Sequence, residues 1–140
     1  MGTWGAEPFD NDAAADFAGD LDEADEAARG SLVREALEAA LTEEGPLHGR
    51  TGDVAVAAAA IVAAQCPRGE PVDPVYGPEE PVPPLPVHLR RLAVLALDRV
   101  TGPDSDLPGL WGEGDTATEW HTRVRHLRSV LANATNSEPS

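Results

Sequence analysis

The chain has 140 residues, ten of them Arg and none Lys, against 25 Asp and Glu, for a formal net charge of −15. Such a balance repels phosphate backbones and anionic membranes, which argues against direct nucleic-acid binding and against a membrane role. Aromatics supply only 4% of the residues while alanine supplies much of the apolar fraction, so closely packed helices are expected rather than a sheet of β-branched and aromatic residues.

The opening, MGTWGAEPFDNDAAADF, sets Trp4 and Phe9 beside Asp10, Asn11, Asp12 and Asp16. Large aromatics are costly to leave in water, so this segment is expected to be tied down with its polar residues in definite places. Trp4 reads as core packing, with ligand stacking between Gly2 and Gly5 as the second reading. A first helix starts at Asp10 or Asn11, either of which can cap free N–H groups, and runs to about Asp25. Phe17 and Leu21 share one face of it, and Asp12 lies in the first turn, where its charge suits the helix dipole. Ser31 reads as the N-cap of a second helix that ends near residues 43–46, with Val33, Leu37 and Leu41 inward.

A third helix is expected after Asp53 as cap, through VAVAAAAIVAAQC, apolar on every side and therefore central. Its apolar run, residues 54–66, is too short against the roughly 20 residues needed to span a bilayer. Residues 67–86, PRGEPVDPVYGPEEPVPPLP, exclude an interior strand or helix and predict an extended crossover, with Tyr76 as a loop anchor. A ligand for a polyproline-recognising partner is the alternative there. Pro86 suits the first turn of a fourth helix, HLRRLAVLALDRV, with Leu89, Leu92, Ala93, Ala96 and Val100 inward. Ser105 can cap a short turn carrying Leu107, Leu110 and Trp111. Thr116 and Glu119 form a capping box for a last helix with Trp120, Val124, Leu127 and Leu131 on one side. The expected fold is all-α, one helical domain of about five helices over residues 1–132, with residues 133–140 as a disordered tail.

The opening motif, GDVAVAAAAIVAAQ, the YGPEE loop with LPVHLRRLAVLALDRV, and TEWHTRVRHLRSVL together resemble a bacterial, actinomycete-type family known as domain of unknown function 4259. The resemblance spans nearly the whole chain and rests most on Trp-Gly, then Phe-x-Asn-Asp, then Asp-Phe. It implies no activity, cofactor or catalytic residue. Pro108, Gly109 and Gly112 around Trp111 depart from the continuous short helix that the resemblance leads one to expect.

The candidate binding residues are Trp4, Asp10, Asn11, Asp12, Asp16, His121 and Arg125. Asp12 and Asp16 are four apart and share a helix face, so three readings stay open: capping and dipole roles, an acidic surface for a partner, or an oxygen site for Mg²⁺ or Ca²⁺. His121, Arg125 and Arg128 form a basic stripe that reads as a solvated face, as internal pairing with the first two helices, or as an anion site. Cys66, alone and at a helix C-terminal end, reads as structural, because burial and the dipole both disfavour its thiolate. No HExxH, GxSxG or phosphate-cradling loop occurs, so no catalytic residue, metal or cofactor is assigned. A lone cysteine points to the cytoplasm.

From Met1 to Glu44 thirteen acids face two Arg, a local charge of −11. The expected function is a small cytosolic, non-catalytic module that binds another protein through this acidic region, as an inhibitor or immunity-type factor. The alternative is a small-molecule- or metal-dependent enzyme with its site between the opening motif and the last helix. Oligomeric state is not legible.

Overall fold

The computed structural model describes residues 8–9, 11–66, 69, 78, 82–112 and 114–137. Six helices and no strand occur among them: α1 (Asp12–Glu23), α2 (Glu26–Thr42), α3 (Gly49–Ala64), α4 (His88–Thr101), α5 (Leu107–Trp111) and α6 (Asp115–Ser137). Trp4, Asp10 and Tyr76 lie outside the described residues, as does most of the 67–81 stretch.

α3 carries no polar face over its last three turns, and it is buried from Ala55 to Ala63. The helices α1, α2, α4, α5 and α6 all pack on it, and alanine at six of those positions lets backbones come close. α4 also packs on α2 and α6. Leu21, Val33, Leu37, Leu89, Leu97, Val100 and Leu131 fill the space between helices at 1% exposure or less.

The helix starts depart from the sequence reading at three places. Asp25, not Ser31, precedes the first residue of α2, and Ser31 lies inside the helix because Ala28 and Arg29 already donate to the Asp25 carbonyl. α3 starts at Gly49 after His48, one turn ahead of Asp53. α6 starts at Asp115, so Thr116 is helical rather than a cap. α6 also runs to Ser137 and buries Ala134, well into the stretch read as a disordered tail.

Two loops are stitched together away from the helices. Leu47 N–H donates to the Asp104 carbonyl and Asp106 N–H to the Leu47 carbonyl, both at 2.9 Å, a parallel bridge that fixes the α2–α3 loop against the α4–α5 loop. An Arg99 guanidinium nitrogen donates to the Gly45 carbonyl at 2.7 Å beside it. α5 then lies on the first turns of α3. A Cβ at Gly52 would stand 2.2 Å from a Leu107 methyl, so only glycine permits this approach. Pro108 and Gly109 are accommodated within α5, and Gly112, at φ 66°, ends it.

Candidate functional site

The described part of the opening motif is built around Asn11. Its Oδ1 accepts the Ala14 N–H at 2.8 Å while its backbone stays extended, the geometry of an N-cap, and the residue is only 6% exposed. Phe9 before it is buried in the common core with Phe17 and Leu21. Asp12 and Asp16 point outward from the other side of α1 and are exposed. Asp16 pairs with Arg50 of α3 at 3.1 Å.

α1 ends at Glu23 and α2 begins at Glu26, so the turn between them gathers acids. Arg29 folds back to donate to the Leu21 carbonyl at 2.9 Å, which satisfies one of the open acceptors at the end of α1 and sets the angle of the turn. Around it, Asp20, Glu23, Asp25 and Glu26 are exposed, and no described basic side chain pairs with their carboxylates. Salt screens such exposed charges only beyond about 8–10 Å, so neighbours in this turn add to one local negative potential.

His121 and Arg125 occupy α6. His121 is half-buried with its ring edge against Trp120, centroids 4.8 Å apart, and Trp120 in turn stacks on Trp111 of α5 at 5.4 Å and 16°. Arg125 is exposed. Arg128 further along is held by Asp98 of α4 through bonds of 2.5 and 3.3 Å, and this pair raises the guanidinium pKa, the Asp98 hydrogen bond contributing most. The basic stripe is therefore engaged with the fourth helix at Arg128, not with the first two.

The two segments of the alternative site share α3 as a support. α1 packs on α3, whereas α6 packs mainly on α4 and also on α3 and α5. Among the described residues no hydrogen bond or ion pair joins Asp12 or Asp16 to His121 or Arg125. No group of three or more His, Cys, Asp and Glu among the described residues is arranged to hold a metal. No described helix is long and apolar enough to cross a membrane.

Two residues, Glu43 and Gln65, make contacts that the sequence reading missed, and Asp53 takes a place other than the cap expected of it. Glu43 accepts the His48 N–H at 2.7 Å and the Thr51 hydroxyl at 2.9 Å, which caps α3 from the end of α2. These bonds, the His48 N–H foremost, hold its carboxyl below the usual carboxylate range. Asp53 is half-buried on α3 and burial pushes its carboxyl up to about 6. Gln65, read as part of an apolar run, is exposed and grips the crossover. Its amide nitrogen donates to the Val82 and Pro83 carbonyls at 3.3 and 3.1 Å, and its oxygen accepts the Leu85 N–H at 2.8 Å. Its partners lie 17, 18 and 20 residues along the chain, so no local pattern signals that role. Cys66 is buried, with its thiol on the Val62 carbonyl at 3.3 Å.

A family model described as Domain of unknown function (DUF4259) matches residues 2–123. No curated protein and no solved structure matches the chain.

Proposed function

We propose that this chain, which belongs to the family of the domain of unknown function DUF4259, is a non-catalytic protein-binding module of the inhibitor or immunity type, acting in the cytoplasm. The observation that carries the reading is the α1–α2 turn, where Asp20, Glu23, Asp25 and Glu26 stand exposed with no described cation on their carboxylates. Carboxylates left unpaired on a folded surface keep their full charge for a partner, and complementary potentials mainly raise the rate of association and select the partner. The partner is a protein with a basic surface. The net charge of −15 favours that class over nucleic acid.

Affinity capture from native cytosol at low and moderate salt tests the reading, with a variant in which Asp20, Glu23, Asp25 and Glu26 are changed to Asn or Gln as control. A stoichiometric partner retained by the natural chain and lost by the variant is expected. A partner that both forms capture equally, or none at either salt, overturns it.

A further inference from the structure

α4 buries Leu89, Ala93, Ala96, Leu97 and Val100 and turns its opposite face to solvent. On that face Arg91, Val94, Leu95 and Asp98 stand at i, i+3, i+4 and i+7, the spacing of a single helical stripe. Val87, which precedes the helix with helical backbone angles, extends the stripe by one turn. Leu95 is 45% exposed and Val87 56%, two of the three large hydrophobics left exposed among the described residues.

Single apolar residues on a surface are ordinary, so exposure alone assigns nothing. The order of charges along the stripe says more. It runs cation, two apolar residues, anion, and it is complementary to itself when reversed. A two-fold axis crossing the helix between Val94 and Leu95 would bring Arg91 onto Asp98 of a second copy, Asp98 onto that copy's Arg91, and the apolar pairs onto each other. A parallel pairing in register would instead set Arg91 against Arg91 and Asp98 against Asp98. The charges therefore select the antiparallel arrangement.

Both charged residues are placed to take part. Arg91 is exposed, and no described hydrogen bond or ion pair engages it. Asp98 is half-exposed and is bound from the side by Arg128 of α6, which fixes the carboxylate on this face. An ionised carboxylate has about four lone-pair sites, of which Arg128 uses two, so a second guanidinium can reach the others.

We infer that the α4 stripe of Val87, Arg91, Val94, Leu95 and Asp98 is a homodimer interface, in which the α4 helices of two copies cross antiparallel about an axis at Val94 and Leu95. The contact is independent of the acidic α1–α2 turn. A single helix pair lies at the small end of specific interfaces and each chain carries a net charge of −15, so the dimer is a weak one that forms at high concentration.

Sedimentation equilibrium of the whole chain reads it directly, from about 10 μM to 1 mM in about 0.15 M salt, where repulsion between the two acidic chains is confined to roughly 8 Å. A monomer–dimer equilibrium is expected. Arg91→Glu and Asp98→Arg should each weaken it at least about tenfold, because the two-fold axis repeats each change and turns two attractions into repulsions. Leu95→Glu should do the same by placing charge at the centre. An equimolar mixture of the Arg91→Glu and Asp98→Arg chains is the decisive arm. Both contacts of a mixed pair again join opposite charges, so dimers should return although neither variant pairs with itself. The inference is overturned by a monomer throughout the range, by a dimer that survives either Arg91→Glu or Leu95→Glu, or by a mixture that stays monomeric. Should Asp98→Arg fail to fold for want of the Arg128 pair, the two substitutions at exposed positions decide on their own.

Discussion

At its N-terminal end α3 is held by a charge, the Glu43 carboxylate on the His48 N–H and the Thr51 hydroxyl, whereas at its C-terminal end it holds the crossover through a neutral amide, Gln65. Both devices do the same work, since each satisfies backbone groups that a helix end or an extended strap leaves open. They differ in what can undo them. Acid protonates Glu43 and weakens its acceptor role, while no accessible pH alters Gln65. The N-terminal end has a second anchor as well, the close seat of Leu107 on Gly52, which is packing and equally indifferent to pH. Acid should therefore loosen one end of the central helix and spare the other.

The sharpest way to break this comparison is Gly52→Val. The added side chain has to displace the buried Leu107, and overpacking of this kind should cost about 2 kcal/mol in urea unfolding. A loss near zero would mean that α5 does not rest on α3. Gln65→Ala removes three hydrogen bonds at the other end and should cost roughly 1–2 kcal/mol, because the site is exposed and water replaces part of what is lost. Amide exchange at Leu85 should rise with it, and the loss should be the same at pH 5 and pH 8.

Asp53 and Glu43 titrate in opposite senses, which separates the charged end into two measurable parts. The folded pKa of Asp53 is raised to about 6 by burial, above its ordinary 3.8. Its protonated form is thus favoured by folding, and that contribution is complete below pH 3.8 and lost as pH rises through about 6. Asp53→Asn should make the protein more stable above pH 6, by about 1 kcal/mol once its partial exposure is discounted, and should flatten the stability profile between pH 4 and 6. Glu43 runs the other way. Its folded pKa lies below the ordinary 4.5, so its contribution is present above pH 4.5 and lost as pH falls through the folded value. Glu43→Gln should cost about 0.5 kcal/mol at pH 7, the low end of a capping bond, and nothing at pH 3. Thermal melts of the two variants from pH 3 to 8 check both slopes, and parallel profiles for variant and natural chain would refute either assignment.

Residue by residue, legibility followed how local the cause was. Asn11 was readable as a cap because the bond it makes is three residues away, and the inward positions Phe17, Leu21, Val33, Leu37, Trp120, Val124 and Leu131 were readable because helical period alone brings them to one side. Ser31 and Asp53 were misread as caps. Both are good capping types, yet the chain already turns helical upstream, at Asp25 through backbone bonds and at His48 through Glu43, a residue belonging to the previous helix. Gln65 was lost inside an apolar run, since a single amide at a helix end announces nothing until the strap arrives from twenty residues on.

The candidate site divides in the same way. That the first forty-four residues are strongly acidic is a matter of composition, but which carboxylates stay unpaired depended on Arg50 reaching Asp16 from α3 while Asp20, Glu23, Asp25 and Glu26 received no such partner. α6 rests chiefly on α4, with Arg128 on Asp98, a placement that the basic residues of its own sequence do not announce. By itself the sequence determined that the chain is helical and acidic, and which faces its helices bury, because period and composition act within a turn or two of the chain. Only the tertiary structure decided where α3 begins, what Gln65 holds and which carboxylate Arg50 reaches, because those depend on groups brought together from distant positions, whose energies exist only once the helices have packed.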